Sequence, residues 1–210
     1  MLGILAGILV NKEIEDVIRV SHKFSAKNKH KLDNPERRKI LPPEATLEKL
    51  HLQKNDIVAD VGCGIGYFTI PAAVIVGEMG KVYAMDISDE MLKEVQVRAD
   101  QQNIANIETI KTLENSLIVA DESITYVFIS NVLHETENIR TFLVEVKRVL
   151  AKDGKVAMIE WIKKESQIGP PLDHRIAQEE LLKMLNKLNF RVIEQIDIGN
   201  EFYGIVAVEQ

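Results

Sequence analysis

The chain of 210 residues can form one domain with a substantial core, and its 46% hydrophobic and 28% charged residues are ordinary for a globular protein. Its single cysteine excludes an internal disulfide framework and a cysteine metal cluster. The five histidines show no metal-ligand spacing, so no metal site is predicted. A net charge of −6 argues against a general nucleic-acid binder.

The first ten residues, MLGILAGILV, contain no polar side chain. They are far shorter than the roughly 20 residues that span a bilayer, and no basic residue precedes them. Neither a transmembrane segment nor a secretory signal is therefore predicted, and the protein is expected in the cytoplasm. Apolar residues near helical spacing predict an amphipathic helix through about Val20. We expect residues 1–20 to pack on the domain; a homodimer contact or a peripheral contact with a membrane surface are the alternatives.

The next segment is basic, while the rest of the chain is acidic. Residues 21–40 hold seven Lys or Arg against two acidic residues, whereas residues 41–210 hold 17 against 27. We interpret the segment as a solvated face leading into the domain; an anionic substrate, a membrane surface or a nucleic acid are other partners that it would suit. The chain is divided accordingly into an N-terminal helical extension and covering segment, 1–41, and a domain, 42–210.

Helix and strand signals alternate from residue 42 onward. Apolar spacing predicts helices at 44–50, 68–76, 89–102, 139–150 and 181–188, with Ser88 capping the third of them. Apolar runs predict strands at 57–61, 81–85, 107–113, 124–129 and 156–159, followed by a closing hairpin of 191–198 and 203–208. This order predicts an α/β protein with a Rossmann-like, doubly wound sheet of mostly parallel strands and a C-terminal antiparallel hairpin.

A glycine-rich turn lies between the first predicted strand and its helix, in the segment Ala59-Asp60-Val61-Gly62-Cys63-Gly64-Ile65-Gly66. Asp86 ends the second predicted strand, 20 positions after Gly66. Glycines permit a tight turn and let backbone N–H groups approach a ligand closely. An acid at the end of the second strand can accept hydrogen bonds from both ribose hydroxyls. The pattern predicts a nucleoside site; a glycine turn without a ligand is the alternative. We interpret Cys63 as structural.

The glycine spacing is G-x-G-x-G, not the G-x-G-x-x-G of nicotinamide enzymes. The segment resembles the first motif of class I S-adenosylmethionine-dependent methyltransferases. Asn131-Val132-Leu133-His134 and the turn at 148–155 resemble the ubiquinone/menaquinone biosynthesis methyltransferases, and this resemblance runs from about residue 21 to the end. That family usually has Phe-Asp entering the fourth strand, where this chain has Ile124-Thr125.

The resemblance implies that S-adenosyl-L-methionine is the cofactor, with S-adenosyl-L-homocysteine as its product. The cofactor is expected at the carboxyl ends of the strands. The implied binding residues belong to the glycine turn, the strand ends and the segment before the domain: Asp60, Gly62, Cys63, Gly64, Gly66, Asp86, Ile87, Met91, Glu114, Asn115, Asn131 and Phe24. We expect residues 21–41 to form a mobile cover over the methyl end of the cofactor.

Methyl transfer from a sulfonium needs a general base only if the acceptor must lose a proton. His134 is the candidate catalytic base because its side chain titrates near neutrality; a purely hydrogen-bonding role is the alternative. Glu160, at the end of the fifth predicted strand, is a candidate either to orient the acceptor or to cap the following loop. The pair His174-Arg175 is a candidate to face an anionic substrate.

These observations predict a methyltransferase for a small-molecule acceptor, a quinone-precursor-like or hydroxylated compound. The segment at Asn131–His134 lacks the paired prolines of enzymes that methylate exocyclic amines, and no nucleic-acid partner is expected. The loop at 161–175 is long enough to form one side of a binding site. Two alternatives stay open: a non-catalytic S-adenosylmethionine-binding protein, and a nucleic-acid methyltransferase that uses the basic 21–40 segment.

Overall fold

The computed structural model describes residues 32–210. Within that range the helices are α1 (Pro35–Ile40), α2 (Pro43–Lys49), α3 (Thr69–Val76), α4 (Asp89–Gln101), α5 (Ile139–Val149) and α6 (Gln178–Lys187). The strands are β1 (Ile57–Val61), β2 (Lys81–Asp86), β3 (Ile107–Lys111), β4 (Ile124–Ser130), β5 (Leu150–Trp161), β6 (Phe190–Ile198) and β7 (Phe202–Glu209). Short 3₁₀ turns cover Leu133–Glu135 and Leu172–His174. The helix predicted for residues 1–20 lies outside the described residues.

These strands form one sheet in the order β3-β2-β1-β4-β5-β7-β6. Neighbours from β3 through β5 run parallel, while β7 pairs antiparallel with both β5 and β6. The strand order reverses between β1 and β4, so a crevice opens at the carboxyl ends of these two strands. The predicted Rossmann-like α/β fold with a closing antiparallel hairpin is confirmed.

Two apolar clusters cover the two faces of the sheet. One packs α5 and α6 against the central strands through side chains such as Phe142 and Leu181. The other packs α2 and α3 on the opposite face through Leu47 and Val76. Because full burial of such a side chain stabilises the fold by about 1.5–3 kcal/mol, these clusters hold the strand ends in fixed positions.

Local capping explains where the helices begin. The Ser88 side chain accepts a hydrogen bond from the Met91 N–H, as predicted, and the acidic Asp89 and Glu90 occupy the first turn of α4. Helix α1, absent from the sequence prediction, begins in the same way, because the Asn34 side chain accepts from the Arg37 N–H. Apolar periodicity could not reveal α1, since this six-residue helix has no buried residue.

Strand β5 is longer than predicted, because it starts directly after α5 and includes the expected turn at 152–154. Its register with β4 shifts between Ile124 and Tyr126, and Asp153 has a φ of +63°. Thr125, where the resembling family has Asp, connects β4 to the start of β1. Its hydroxyl donates to Asp56 Oδ1 at 2.8 Å and accepts from the Ile57 N–H at 2.9 Å. No helix in the described range combines the length and the apolar character needed to cross a membrane.

Candidate active site

A cleft of about 1140 Å³ lies at the carboxyl ends of β1, β2 and β4. The glycine turn and the end of β2 form one side, and the loops after β4 and β5 form the other. The segment that contains α1 borders the cleft, and its residues Leu32, Asn34, Glu36, Arg37 and Ile40 contribute to the lining. The topology therefore brings the nucleoside-binding pattern and the candidate base into one space.

The glycine turn is fixed by hydrogen bonds to the neighbouring strand. The N–H groups of Gly62 and Cys63 donate to the Met85 carbonyl at 2.8 and 3.0 Å. Gly62 has a φ of +71°, and a Cβ at this position would lie 2.4 Å from Val132 Cγ2. A larger residue would therefore strain the turn and clash with the loop after β4. The Cys63 side chain is buried, and burial raises the pKa of its thiol, which agrees with a structural role.

Asp86 is oriented by two backbone donors. Its Oδ2 accepts from the Gly64 N–H and its Oδ1 from the Ser88 N–H, each at 2.9 Å. Burial raises the pKa of this carboxyl, although these N–H donors oppose the shift. Each carboxylate oxygen can accept a second hydrogen bond, so the held carboxylate suits a ribose diol.

Asp60 is a more deeply buried acid, with only 3% of its surface exposed. It accepts a hydrogen bond from Thr69 Oγ1 at 2.6 Å. Burial raises its pKa to about 7, with the nearby Asp86 adding to the effect. Asp60 also lines the cleft, at the end of β1. Its charge therefore changes near neutral pH.

Most of the other implied cofactor residues also face this side of the cleft. Ile87, Met91 and Glu114 contribute to the lining, and Glu114 accepts a hydrogen bond from the Glu137 N–H. Asn115 is not part of the lining, and the buried Thr112 lines the cleft instead. The sequence prediction extended β3 to residue 113, whereas the strand ends at 111, so the contacting residues come earlier than expected.

Two further implied residues have different positions. Gly66 is not part of the cleft lining; it has a φ of +82° and packs close to Val95 of α4. Phe24 lies outside the described residues, so its predicted contact with the cofactor stays a prediction.

Asn131 contributes an unusual buried acceptor. Its backbone has a φ of +58°, and its N–H donates to the Ile159 carbonyl at 2.8 Å. The side-chain Nδ2 donates to Ser130 Oγ at 3.2 Å, but the buried Oδ1 has no hydrogen-bond partner among the described residues. A buried acceptor left without a partner costs about 1–3 kcal/mol, and a donor on a bound ligand would remove that cost. An ammonium group, such as that of S-adenosylmethionine, fits this acceptor.

His134 and Glu160 form a buried pair at the other side of the cleft. His134 lies in the 3₁₀ turn after β4, with 8% of its side chain exposed, and its Nδ1 lies 2.7 Å from Glu160 Oε2. The other carboxylate oxygen, Oε1, accepts from the Leu133 N–H at 2.9 Å. Because a carboxylate only accepts, Nδ1 carries the proton, and Nε2 of the neutral ring is the basic nitrogen.

The charge of His134 depends on opposing effects. Burial disfavours the charged ring, and Arg175 acts in the same direction. The carboxylates of Glu160 and Glu135 act against both, so the pKa of His134 is raised above its ordinary value. The ring therefore binds a proton more readily than an exposed histidine does.

The structure corrects the predicted role of Glu160. This side chain is 1% exposed and does not line the cleft, so it neither orients an acceptor directly nor caps the loop after β5. Instead it supports the loop after β4, through Leu133 and His134. No local pattern indicates this pairing in advance, because the two partners are 26 residues apart.

The loop after β5 forms the far wall of the cleft. Arg175 is 2% exposed and donates to the carbonyls of four loop residues: Pro170, Ile162, Lys164 and Ile168. The prediction that Arg175 faces an anionic substrate is therefore wrong, although His174 does line the cleft. The Trp161 and Phe202 rings pack with centroids 4.3 Å apart and give this wall an aromatic surface.

Helix α1 contributes a cationic residue that the sequence reasoning missed. The Arg37 guanidinium lies 4.9 Å from the centre of the Tyr67 ring and lines the cleft. Within the described part of the basic segment, Arg37 is half-buried and its Nε is buried, whereas Arg38 is exposed and pairs with Asp33. The Asn34-Pro35 signal for a helix start could have indicated α1 in advance.

Comparison with known proteins agrees with this geometry. The methyltransferase domain family matches residues 52–207. A demethylmenaquinone methyltransferase from Geobacillus is 32% identical over 124 residues, which are 59% of this chain and 53% of that protein. The chain thus spans about half the length of the curated relatives it matches.

Two solved structures share the fold. An S-adenosylmethionine-dependent methyltransferase from Aquifex aeolicus superposes with a TM-score of 0.84 at 31% identity, over 88% of this chain and 98% of that one. Magnesium protoporphyrin IX methyltransferase from Synechocystis, with S-adenosylmethionine bound, gives a TM-score of 0.64 at 17% identity, over 90% of this chain and 86% of that one. The predicted resemblance to S-adenosylmethionine-dependent methyltransferases is confirmed.

Proposed function

Because the chain belongs to the methyltransferase domain family, we propose that it transfers the methyl group of S-adenosylmethionine to a small-molecule acceptor. One observation carries the proposal: a single cleft contains both a nucleoside-binding turn with its acid, Asp86, and a buried base, His134, supported by Glu160. A nucleoside site alone would suit a binding protein. A supported base beside it suits a reaction in which the acceptor loses a proton.

Two groups of the cofactor, the ribose and the ammonium group, have suitable partners in this chain. Asp86 suits the ribose hydroxyls, and the unpaired Oδ1 of Asn131 suits the ammonium group. When bound, S-adenosylmethionine supplies an activated methyl group and its own leaving group. The protein then has to hold the acceptor in line and keep water away, which a cleft covered by α1 favours.

His134 Nε2 takes the proton from the acceptor in this proposal. Glu160 accepts the Nδ1 proton, which leaves Nε2 as the basic nitrogen of a side chain that lines the cleft; Nε2 lies 3.8 Å from Glu135 Oε1. The acceptor's O–H proton passes to Nε2 while its oxygen, or a ring carbon conjugated with that oxygen, attacks the methyl carbon and the methyl–sulfur bond breaks to release S-adenosylhomocysteine. After attack by a ring carbon, the C–H proton on that carbon leaves and restores the conjugated ring. This chemistry suits a hydroxylated or quinone-precursor-like acceptor, whose hydroxyl or ring carbon becomes nucleophilic as the proton leaves.

The lining of the cleft supports an acceptor with a flat apolar part. Phe68, Phe142, Trp161 and Phe202 all contribute to it. Aromatic walls bury planar ligands through large contact areas. The relatives named demethylmenaquinone methyltransferases point in the same direction, at about 30% identity over part of their length.

The alternatives receive less support. A buried His–Glu pair beside the glycine turn favours catalysis over binding alone, and the acidic excess of residues 41–210 disfavours a nucleic-acid substrate. We further propose a cytoplasmic location and packing of residues 1–20 on the domain, with a homodimer contact or a peripheral membrane contact as the alternatives. The division at residue 41 stays part of this proposal.

Radiolabelled S-adenosylmethionine tests the proposal. The protein is incubated with a cell extract that is then separated into metabolites, lipids, protein and nucleic acid. We expect label in the metabolite or lipid fraction, with a loss of about 10²–10⁴-fold in His134→Gln and no loss in the surface control His51→Gln. Label mainly in nucleic acid or protein would exclude a small-molecule acceptor, and binding without any transfer would favour the non-catalytic alternative.

A further inference from the structure

Arg37 is half-buried at the edge of the cleft, and it makes no ion pair with any residue in the range 32–210. It lies against the Tyr67 ring at the edge of the cleft, and its Nε is buried without a hydrogen-bond partner among the described residues. Burial lowers the pKa of this group, and Tyr67 and Asp33 only partly oppose the effect. Partial burial of an unpaired cation, with its Nε fully buried, costs free energy that an anionic partner would offset.

The acidic residue that acts on Arg37 is already occupied by other partners. Asp33 Oδ1 accepts from Arg38 Nε at 2.7 Å, and Asp33 Oδ2 accepts from Arg38 Nη2 and from Arg98 Nη1, both at 2.9 Å. These bonds lower the pKa of Asp33 against the effect of its burial. Among residues 32–210, no carboxylate makes an ion pair with Arg37. Its charge is therefore directed to the cleft that it lines.

We infer that Arg37 binds a carboxylate of the molecule in the cleft. A guanidinium presents parallel N–H donors that match the two oxygens of a carboxylate, and its contact with the Tyr67 ring fixes its plane. The inference rests on the proposed function, which offers two sources of this chemistry. One is the amino-acid end of the cofactor, and the other is a carboxylate on the acceptor.

The position of α1 supports this assignment. Leu32 lies over the glycine turn, with its Cδ1 3.2 Å from where a Cβ of Gly64 would be. Arg37 follows on the first turns of the same short segment, so its guanidinium enters the cleft from the covering side. The buried arginine of the site, Arg175, is saturated by loop carbonyls and does not compete for an anion.

Calorimetry with two cofactor analogues tests the inference. S-adenosylhomocysteine carries the carboxylate, whereas 5′-methylthioadenosine retains the adenosine and sulfur but lacks the amino-acid end. Arg37→Met keeps an apolar stem against Tyr67 and removes the charge. Arg37→Lys keeps the positive charge but lacks the two parallel N–H donors of the guanidinium. Lys39→Met is the control, because it removes one exposed charge from the same helix. Benzoate, titrated into the complex with S-adenosylhomocysteine, tests the acceptor side.

If the cofactor supplies the carboxylate, Arg37→Met weakens S-adenosylhomocysteine binding by about tenfold to a hundredfold and leaves methylthioadenosine unchanged. If the acceptor supplies it, only benzoate binding is lost. Arg37→Lys should fall between, and serves as the test variant should Arg37→Met not fold. The inference is overturned if neither probe changes, or if both analogues lose affinity equally, which would indicate packing alone. Binding of S-adenosylhomocysteine by the unmodified protein tests the proposed function itself. If the unmodified protein binds this analogue and the Arg37 variants bind it and benzoate equally well, only the inference about Arg37 fails.

Discussion

Replacing Glu160 with Gln is the sharpest test of the catalytic assignment. The carboxylate accepts two hydrogen bonds, from the Leu133 N–H at 2.9 Å and from His134 Nδ1 at 2.7 Å. A Gln side chain has one acceptor oxygen and one amide nitrogen that donates. One of the two donors would therefore face another donor, in a site where the original side chain is 1% exposed.

The expected size of the effect follows from these contacts. Loss of one buried hydrogen bond, with its donor left unpaired, destabilises the fold by about 1–3 kcal/mol. If the amide NH₂ turns toward His134, the ring is stabilised as the Nε2–H tautomer, which cannot accept a proton at the cleft. A base held in the wrong tautomer is ineffective, and we expect turnover to fall by about 10²–10⁴-fold. Binding of S-adenosylhomocysteine should change little.

The pH dependence has a definite sign. Burial and Arg175 lower the pKa of His134, but Glu160 and Glu135 act against them and leave it raised. The base must be neutral to act, so the rate rises as pH passes through this raised value. Removing the Glu160 charge lowers the pKa, and the rising limb in Glu160→Gln moves to lower pH. The stability that protonated His134 gains from the pair is fully present below its unfolded pKa and is lost as pH rises through the raised one.

Three measurements check this reasoning: pH–rate profiles, calorimetric binding of S-adenosylhomocysteine, and urea unfolding at two pH values. Glu194→Gln is the matched control, since Glu194 forms a similar pair with His51 on the surface. The control should leave all three unchanged. A rate change below about threefold, with an unmoved pH limb, in a folded Glu160→Gln protein would refute the assignment of His134 as a base supported by Glu160.

The remaining predictions concern binding and stability. Asp86→Ala should weaken S-adenosylhomocysteine binding by about tenfold to a hundredfold in calorimetry, while the exposed Asp89→Ala leaves it unchanged. Burial raises the pKa of Asp60 to about 7, so the folded protein keeps this proton at pH values where the unfolded chain has lost it. The stability of the unmodified protein therefore falls as pH rises from about 4 to 7. Asp60→Asn cannot ionise and should stabilise the ligand-free protein most at high pH. Equal gains at pH 5 and pH 8 would contradict this sign. Arg175→Met leaves four loop carbonyls without their donor and should lower the unfolding free energy by about 2–4 kcal/mol in denaturant titrations. Protease cleavage within 21–41 should slow when cofactor is added; equal cleavage would argue against a cover.

The sequence was most informative where local chemistry determines the conformation. Three glycines at G-x-G-x-G spacing, all with positive φ, and an acid ending the next strand are sufficient to predict the nucleoside side of the cleft. Asn115 shows the limit of such reasoning. Of the predicted pair Glu114 and Asn115, only Glu114 lines the cleft, and an apolar run does not determine which of two adjacent loop residues faces a site.

The roles of Glu160, Arg175 and Arg37 could not be predicted because they depend on packing between distant segments. Glu160 reaches His134 only because β4 and β5 pair in parallel, with Ser130 opposite Ile159. Arg175 turns away from the cleft because four loop carbonyls surround it. Arg37 and Arg38 both lie near the Tyr67 ring, but Arg38 pairs with Asp33 whereas Arg37 lines the cleft. Apolar periodicity and local motifs carry no information about such contacts.

The loop that carries His134 and the helix that carries Arg37 differ in how firmly they are attached to the rest of the protein. The loop that carries His134 is tied to β5 by the Glu160 bonds and by the Asn131 N–H donating to Ile159, so the sheet register fixes the base without a ligand. Arg37 stands on a six-residue helix without a buried residue; the Asp33–Arg98 ion pair connects the start of this segment to α4, and the buried Leu41 follows its end. Partly exposed pairs of this kind contribute about 0.2–1 kcal/mol each. The sheet register therefore positions the base independently of α1, whereas the position of Arg37 depends on this short segment.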